Sequence, residues 1–181
     1  WFADHNEAGG VLALASALWQ ESDFLRSRGY MQRGLPLLEQ ARELARVWGD
    51  TDAEFRLLEA VAHAHLLNGN PFLSQPLYEQ ALSIAEGSDQ PLMKAHAQLG
   101  LGRLFTDLGE FDRAVVYLKG ALQNCHGCSD YGLEIEVLTC LGNVLCLQGH
   151  FAEATNYLEA SLPTIQARQD QRGKAEIYFA L

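Results

Sequence analysis

The sequence predicts an all-α fold: a right-handed α-solenoid of antiparallel helix hairpins, with a 40-residue period and about nine helices. Three observations predict it. Glycine returns at Gly29, Gly69, Gly109 and Gly149. Small residues return with it: Ser22, Ala62, Gly102 and Gly142 before it, then Gly34, Ser74, Ala114 and Ala154, then Ala41, Ala81, Ala121 and Ser161. Between these markers the apolar residues keep the spacing of one helix face, and no stretch alternates as a strand does. Small side chains at fixed offsets mark places where the two helices of a hairpin approach too closely for larger groups.

Each unit reads as helix A, a tight turn, helix B and a polar loop. Unit one spans about 8–50. Its Pro36 falls where helix B should already be running, so that helix either starts late or is kinked. Unit two spans 51–90. Thr51 and Glu54 have capping-box spacing. Asn70 and Pro71 after Gly69 suit an N-cap and a first-turn proline, and Pro76 repeats the problem of Pro36. Unit three spans 91–130. Leu101, Leu104, Phe105 and Leu108 share a face of helix A, Gly109 ends it, and Phe111, Ala114, Val115, Leu118, Ala121 and Leu122 share a face of helix B. Unit four spans 131–170 and copies it with Leu138, Leu141, Val144 and Leu145, then Gly149, then Phe151, Ala154, Leu158 and Leu162. Pro163 should bend its helix B. A truncated fifth unit runs from 171 to 181. The whole is expected to be one domain and a fragment of a larger protein. Trp1-Phe2-Ala3 reads as the end of a preceding helix, and Leu181 falls inside an apolar-periodic stretch.

Composition narrows the function. Thirteen basic against 23 acidic residues give a net charge of -10, which disfavours binding to a phosphate backbone. No apolar run approaches the ~18 residues that cross a bilayer. Four cysteines, unevenly placed, do not make a secreted disulfide framework, which points to a reducing cytoplasm.

Leu101-Gly102, Gly109, Phe111, Ala114 and Ala121, with Leu141-Gly142, Gly149, Phe151 and Ala154, resemble the signature of the tetratricopeptide (TPR) repeat. The resemblance covers essentially the whole chain and is clearest in units three and four. Two features depart from it: the period exceeds the usual ~34 residues, and helix A of units two to four lacks the signature Trp. The longer period and the Gly-Asp or Ser-Asp loops are similar to the TPR arrays of bacterial STAND-class signal-transduction ATPases and transcriptional regulators. Ala17-Leu18-Trp19, Arg28-Gly29-Tyr30 and Leu37-Leu38-Glu39-Gln40-Ala41 add to that likeness.

The resemblance implies a protein or peptide interaction module with no catalytic role and no cofactor, in a cytoplasmic bacterial regulator. Its partner would be a peptide, a protein or the ATPase core of the same chain. It also implies that the A helices line a concave groove. By register the groove then carries Asp23, His63, Arg103 and Asn143, with Trp19, Glu59 and Thr139 on the same side and His96 seven residues before Arg103. Asn pairs with an extended backbone as donor and acceptor, and Arg forks onto a carboxylate. The row is mixed in sign, which fits a mixed peptide surface better than a strongly acidic tail. The plain alternative is a solvated polar face.

Two further readings stay open. Trp19, Phe24 and Tyr30 cluster near unit one and suit a small-molecule inducer pocket. Cys125-His126-Gly127-Cys128 is a C-x-x-C loop, a redox or metal sensor only if a lowered thiol pKa or two more ligands support it. Cys140 and Cys146 read as small packing residues. His63 and His65 point about 200° apart on a helix and cannot share a ligand, and His65 falls at a core position. Gly100-Leu101-Gly102 sits inside a helix with no strand before it, so it is no dinucleotide loop. No phosphate-loop, zinc-protease or nucleophile-elbow motif occurs. Exposed ends at Trp1, Phe2, Tyr178 and Phe179 would favour end-to-end dimers.

Overall fold

A computed structural model describes residues 31–125 and 130–168, except the side chains at 31–33, 37, 48 and 163–168. Trp19, Asp23, Cys128, the first helix A, the fifth unit and the end residues expected to mediate dimers lie outside them. Among the described residues there are seven helices and no strand. They are α1 (Met31–Trp48), α2 (Thr51–Leu67), α3 (Pro71–Gly87), α4 (Pro91–Asp107), α5 (Phe111–Cys125), α6 (Tyr131–Leu147) and α7 (Phe151–Arg168). The chain divides into two compact units, Trp1–Ile84 and Ala85–Leu181.

The recurrent glycines end their helices as the period implies. Gly69, Gly109 and Gly149 have φ of 73°, 75° and 80°, the left-handed region that glycine enters without a Cβ clash. At Gly109 the backbone N–H bonds Thr106 O at 3.0 Å, and the next N–H, of Glu110, bonds Phe105 O at 2.8 Å. This pair is the Schellman motif, which satisfies helix-end carbonyls with main chain alone. It recurs after α2 and α6. The same bonds close α1 at Gly49 (φ 71°), which the sequence suggests only as a polar loop residue.

The starts of the helices differ from expectation in one place. Asp50, not Thr51, caps α2: its Oδ1 accepts from Ala53 N at 3.0 Å. Asp130 caps α6 in the same way, accepting from Leu133 N at 3.1 Å. A carboxylate also complements the positive helix start better than a hydroxyl does. Asn70 and Pro71 behave as expected, α3 starting at Pro71 with Ser74 N bonded to Asn70 O. A late start for helix B is excluded, because α1 and α3 are continuous helices with Pro36 and Pro76 inside them. Each proline removes one backbone donor from its helix, and both prolines are exposed.

Within the first unit, Leu38, Ala41 and Ala45 of α1 pack with Ala53, Leu57, Ala60 and Val61 of α2, and Leu77 of α3 packs against that cluster. In the second unit, α4 pairs with α5 and α6 with α7; α5 also packs on α6, and α4 touches α6. The hairpins close where expected, but by a knob entering a gap. A Cβ on Gly102 would lie 2.5 Å from Leu118 Cγ, and one on Gly142 would lie 2.5 Å from Leu158 Cγ. Leu118 and Leu158 are fully buried in those gaps. Ala114 is buried as well, although Gly102 meets the leucine one turn further on. Phe105 is sealed inside, with the Tyr117 ring stacked at 5.4 Å and the Arg113 guanidinium 3.7 Å from its centroid. One expected core residue is not there: Phe151 is 66% exposed, and Phe111 is half-buried.

Polar ties link successive hairpins of the second unit. Lys119 Nζ reaches Glu153 Oε1 at 3.2 Å between α5 and α7. Gln148 Nε2, just past α6, donates to Asp112 Oδ1 of α5 at 2.8 Å. These exposed contacts add little energy singly; they fix where one hairpin lies along the next.

Candidate functional site

Helix A of each hairpin has one face on its helix B and another left over. In the second unit that remaining face belongs to α4 and α6, and it collects polar groups. From α4 it takes His96, Arg103 and Asp107. From α6 it takes Glu136, Thr139, Cys140 and Asn143.

Arg103 is the centre of this face. Its Nη2 donates to Glu136 Oε1, bridging α4 to α6. Cys140 stands one turn beyond Glu136 on the same side of α6 and also hydrogen-bonds the guanidinium. Residues four apart on a helix are neighbours, so one long side chain meets both. Burial opposes the charge on Arg103, but Cys140 and Glu136 together overcome it and hold the pKa above the ordinary guanidinium range. Asp107 feels the same cation: burial raises its pKa, and Arg103 pulls against the rise. His96 is half-buried. Burial is the main cause of its lowered pKa, Asp130 and Glu136 oppose the shift, and Arg103 adds to it.

Thr139 and Asn143 lie one turn apart on α6. The Thr139 hydroxyl donates to Ile135 O at 2.8 Å, which leaves its oxygen able to accept. Asn143 is exposed, and its amide has no side-chain hydrogen bond among the described residues.

Arg103 and His96 therefore share one charged cluster with Glu136, while Thr139 and Asn143 lie further along α6. The structure alters the role of Arg103: it holds a carboxylate of its own chain. Sequence reasoning misses Cys140 as its neighbour and treats the residue as packing. Cys146 is half-buried too, so neither thiol belongs to the sealed core. Glu59 and His63 lie half-buried on α2 in the first unit. His65 is in the core there as expected, 9% exposed, with Nε2 3.8 Å from Glu39 Oε1. Its Nδ1 has no partner among the described residues.

Cys125 is the last residue of α5 and is buried, so the C-x-x-C begins inside a helix and not in a loop. Among the described residues no three His, Cys, Asp or Glu side chains are grouped to hold a metal ion. No described helix is long and apolar enough to cross a membrane.

Comparison with known proteins agrees with the geometry. The tetratricopeptide repeat family model matches residues 135–167, which cover most of α6 and α7. The apo form of RapI superposes with a TM-score of 0.80 at 15% identity, over 93% of this chain and 60% of that one. This chain thus spans less than two thirds of RapI. A Podosopora anserina putative kinesin light chain with nearly identical TPR-like repeats superposes with a TM-score of 0.70 at 19% identity, over 96% of this chain and 85% of that one. A point variant of that same protein gives 0.72 at 19% identity, over 96% and 84%. At these identities the likeness is one of fold: a TPR-like helical repeat. A search of curated protein sequences finds no match.

Proposed function

We propose that the chain is a non-catalytic interaction module that holds an extended peptide or protein segment along the face of α4 and α6. One observation carries this reading. Asn143 stands exposed and uncommitted on α6, the helix to which the Arg103 guanidinium is bridged through Glu136. A fixed polar surface loses little entropy when it binds, and an amide can donate to and accept from one peptide unit. The fold supports the reading, since stacked helical repeats present such surfaces.

The wider setting follows from the resemblance to STAND-class regulators. There the module acts as the partner-sensing arm of a cytoplasmic bacterial signalling or transcriptional protein, and its partner is a separate polypeptide or the ATPase core of the same chain.

The test is a peptide-array selection, followed by titration of a selected peptide against Asn143→Ala, Thr139→Val and a distant control, Val116→Ser on the exposed side of α5. Loss of about tenfold or more in affinity for Asn143→Ala, with helicity and the control unchanged, is the expected result. Equal affinity for all three variants would place the binding surface elsewhere.

A further inference from the structure

We infer that the α4–α6 face selects a cationic partner segment, one that carries Lys or Arg side chains. The inference rests on the reading that this face is the docking surface; what it adds is the sign of the partner.

An arginine in this row suggests capture of a carboxylate, and the structure argues the opposite. Arg103 is already bonded to Glu136. Two more carboxylates act on the same small area, Asp107 through Arg103 and Asp130 through His96. The cation among them is therefore matched by Glu136, Asp130 is engaged at the start of α6, and Asp107 remains in excess. Burial keeps His96 from supplying a second positive charge near neutral pH. The excess is open to a ligand: Asp107 is exposed, and the Glu136 side chain keeps 45% of its surface. The charge of the whole chain has the same sign.

Consider the two kinds of partner. An acidic segment must displace Glu136 from Arg103 and then lie against Asp107. A basic segment can join Glu136 on its open side and leave the bridge in place. Like charges brought together cost affinity, and complementary ones raise the encounter rate. The bridge acts as a filter: it occupies Arg103 and hides it from carboxylates.

The filter gives an effect of unusual sign. Three fluorescent peptides of one length and backbone, bearing lysines, glutamates or neutral polar residues, are titrated against the intact chain at low salt. The lysine peptide is expected to bind about tenfold or more tighter than the glutamate peptide. Arg103→Gln should strengthen lysine-peptide binding severalfold, because Glu136 loses its internal competitor. Glu136→Gln and Asp107→Asn should each weaken it. Circular dichroism and melting check each variant, and Asp107→Asn keeps the test readable if Arg103→Gln unfolds. Tighter binding of the glutamate peptide, abolished by Arg103→Gln, overturns the inference and leaves the face as the docking surface. Binding of no peptide, or binding indifferent to Asn143→Ala and to every charge variant, removes the docking surface itself and the inference with it.

Discussion

At the scale of residues, this face couples charge to burial. His96 is the group whose protonation that coupling controls. Burial lowers its folded-state pKa below the ordinary 6.5, so the unfolded chain takes up a proton first as pH falls. Its contribution to stability is therefore complete above about pH 6.5 and is lost as pH drops through the lowered folded value. Chemical denaturation at a series of pH values should show stability declining below neutrality, with a shallower slope in His96→Gln. An unchanged slope in the variant would show that His96 protonates as readily folded as unfolded.

Much at this scale is legible in the sequence. That Arg103 and Asn143 hold equivalent places on successive A helices is readable, because the 40-residue period carries one helix face to the next. The partner of Arg103 is not legible. Glu136 corresponds to His96 by period, so the two look equivalent rather than complementary to a residue seven positions on. What joins Arg103 to Glu136 and Cys140 is side-chain length and direction. Helical side chains lean toward the N-terminus, and a long guanidinium reaches back along the neighbouring helix. Cys140 looks like packing because a lone cysteine usually behaves as a small apolar residue, and although its equivalent Gly100 is buried, Cys140 itself is half-buried.

At the scale of elements, the hairpin depends on a knob and a gap. Leu118 fills the space above Gly102, and Leu158 fills that above Gly142. In an ordinary exposed helix, Gly→Ala gains up to about 1 kcal/mol of helix propensity. Here the new methyl meets Cγ of a buried leucine, which cannot swing aside as a flexible tip can. Overpacking of this kind costs about 1–3 kcal/mol. Gly102→Ala should therefore lower the urea midpoint at unchanged slope. A raised midpoint would mean that Leu118 has another rotamer available. The small residue at this offset is readable from the repeat, but the size of its opposite number is not, since Ala114 looks equally suitable.

Helix ends split the same way. The turn glycines announce themselves, because a positive φ leaves few other choices of residue. The cap of α2 is harder to read, because Thr51 and Glu54 satisfy the capping-box spacing while Asp50, one residue earlier, supplies the stronger acceptor. Pro36 and Pro76 look like breaks, yet helix packing around them outweighs one missing hydrogen bond per helix. Phe151 looks like core because Phe111 does, and its exposure shows that an aromatic after the turn is not buried by its own hairpin alone.

At the scale of the whole molecule, charge dominates what the sequence alone can predict. A net charge of -10 sets a long-range field that steers an oppositely charged ligand and is damped by salt. Binding of the lysine-bearing peptide should accordingly lose association rate as salt rises from about 10 to 150 mM, with dissociation changing less. Stopped-flow mixing measures both. An association rate independent of salt would mean that the ligand is held by apolar contact and not guided by the field.

The glycine turns carry one more implication. Each hairpin is closed by main-chain hydrogen bonds, so its geometry does not depend on which side chains decorate the outer surfaces of α4 and α6. The turns that set each hairpin are then written in residues other than those on this face. A laboratory seeking to retarget this array could replace positions 96, 103, 136, 139 and 143 together, keep the glycines and the leucine knobs, and obtain a scaffold with a new appetite and the old skeleton.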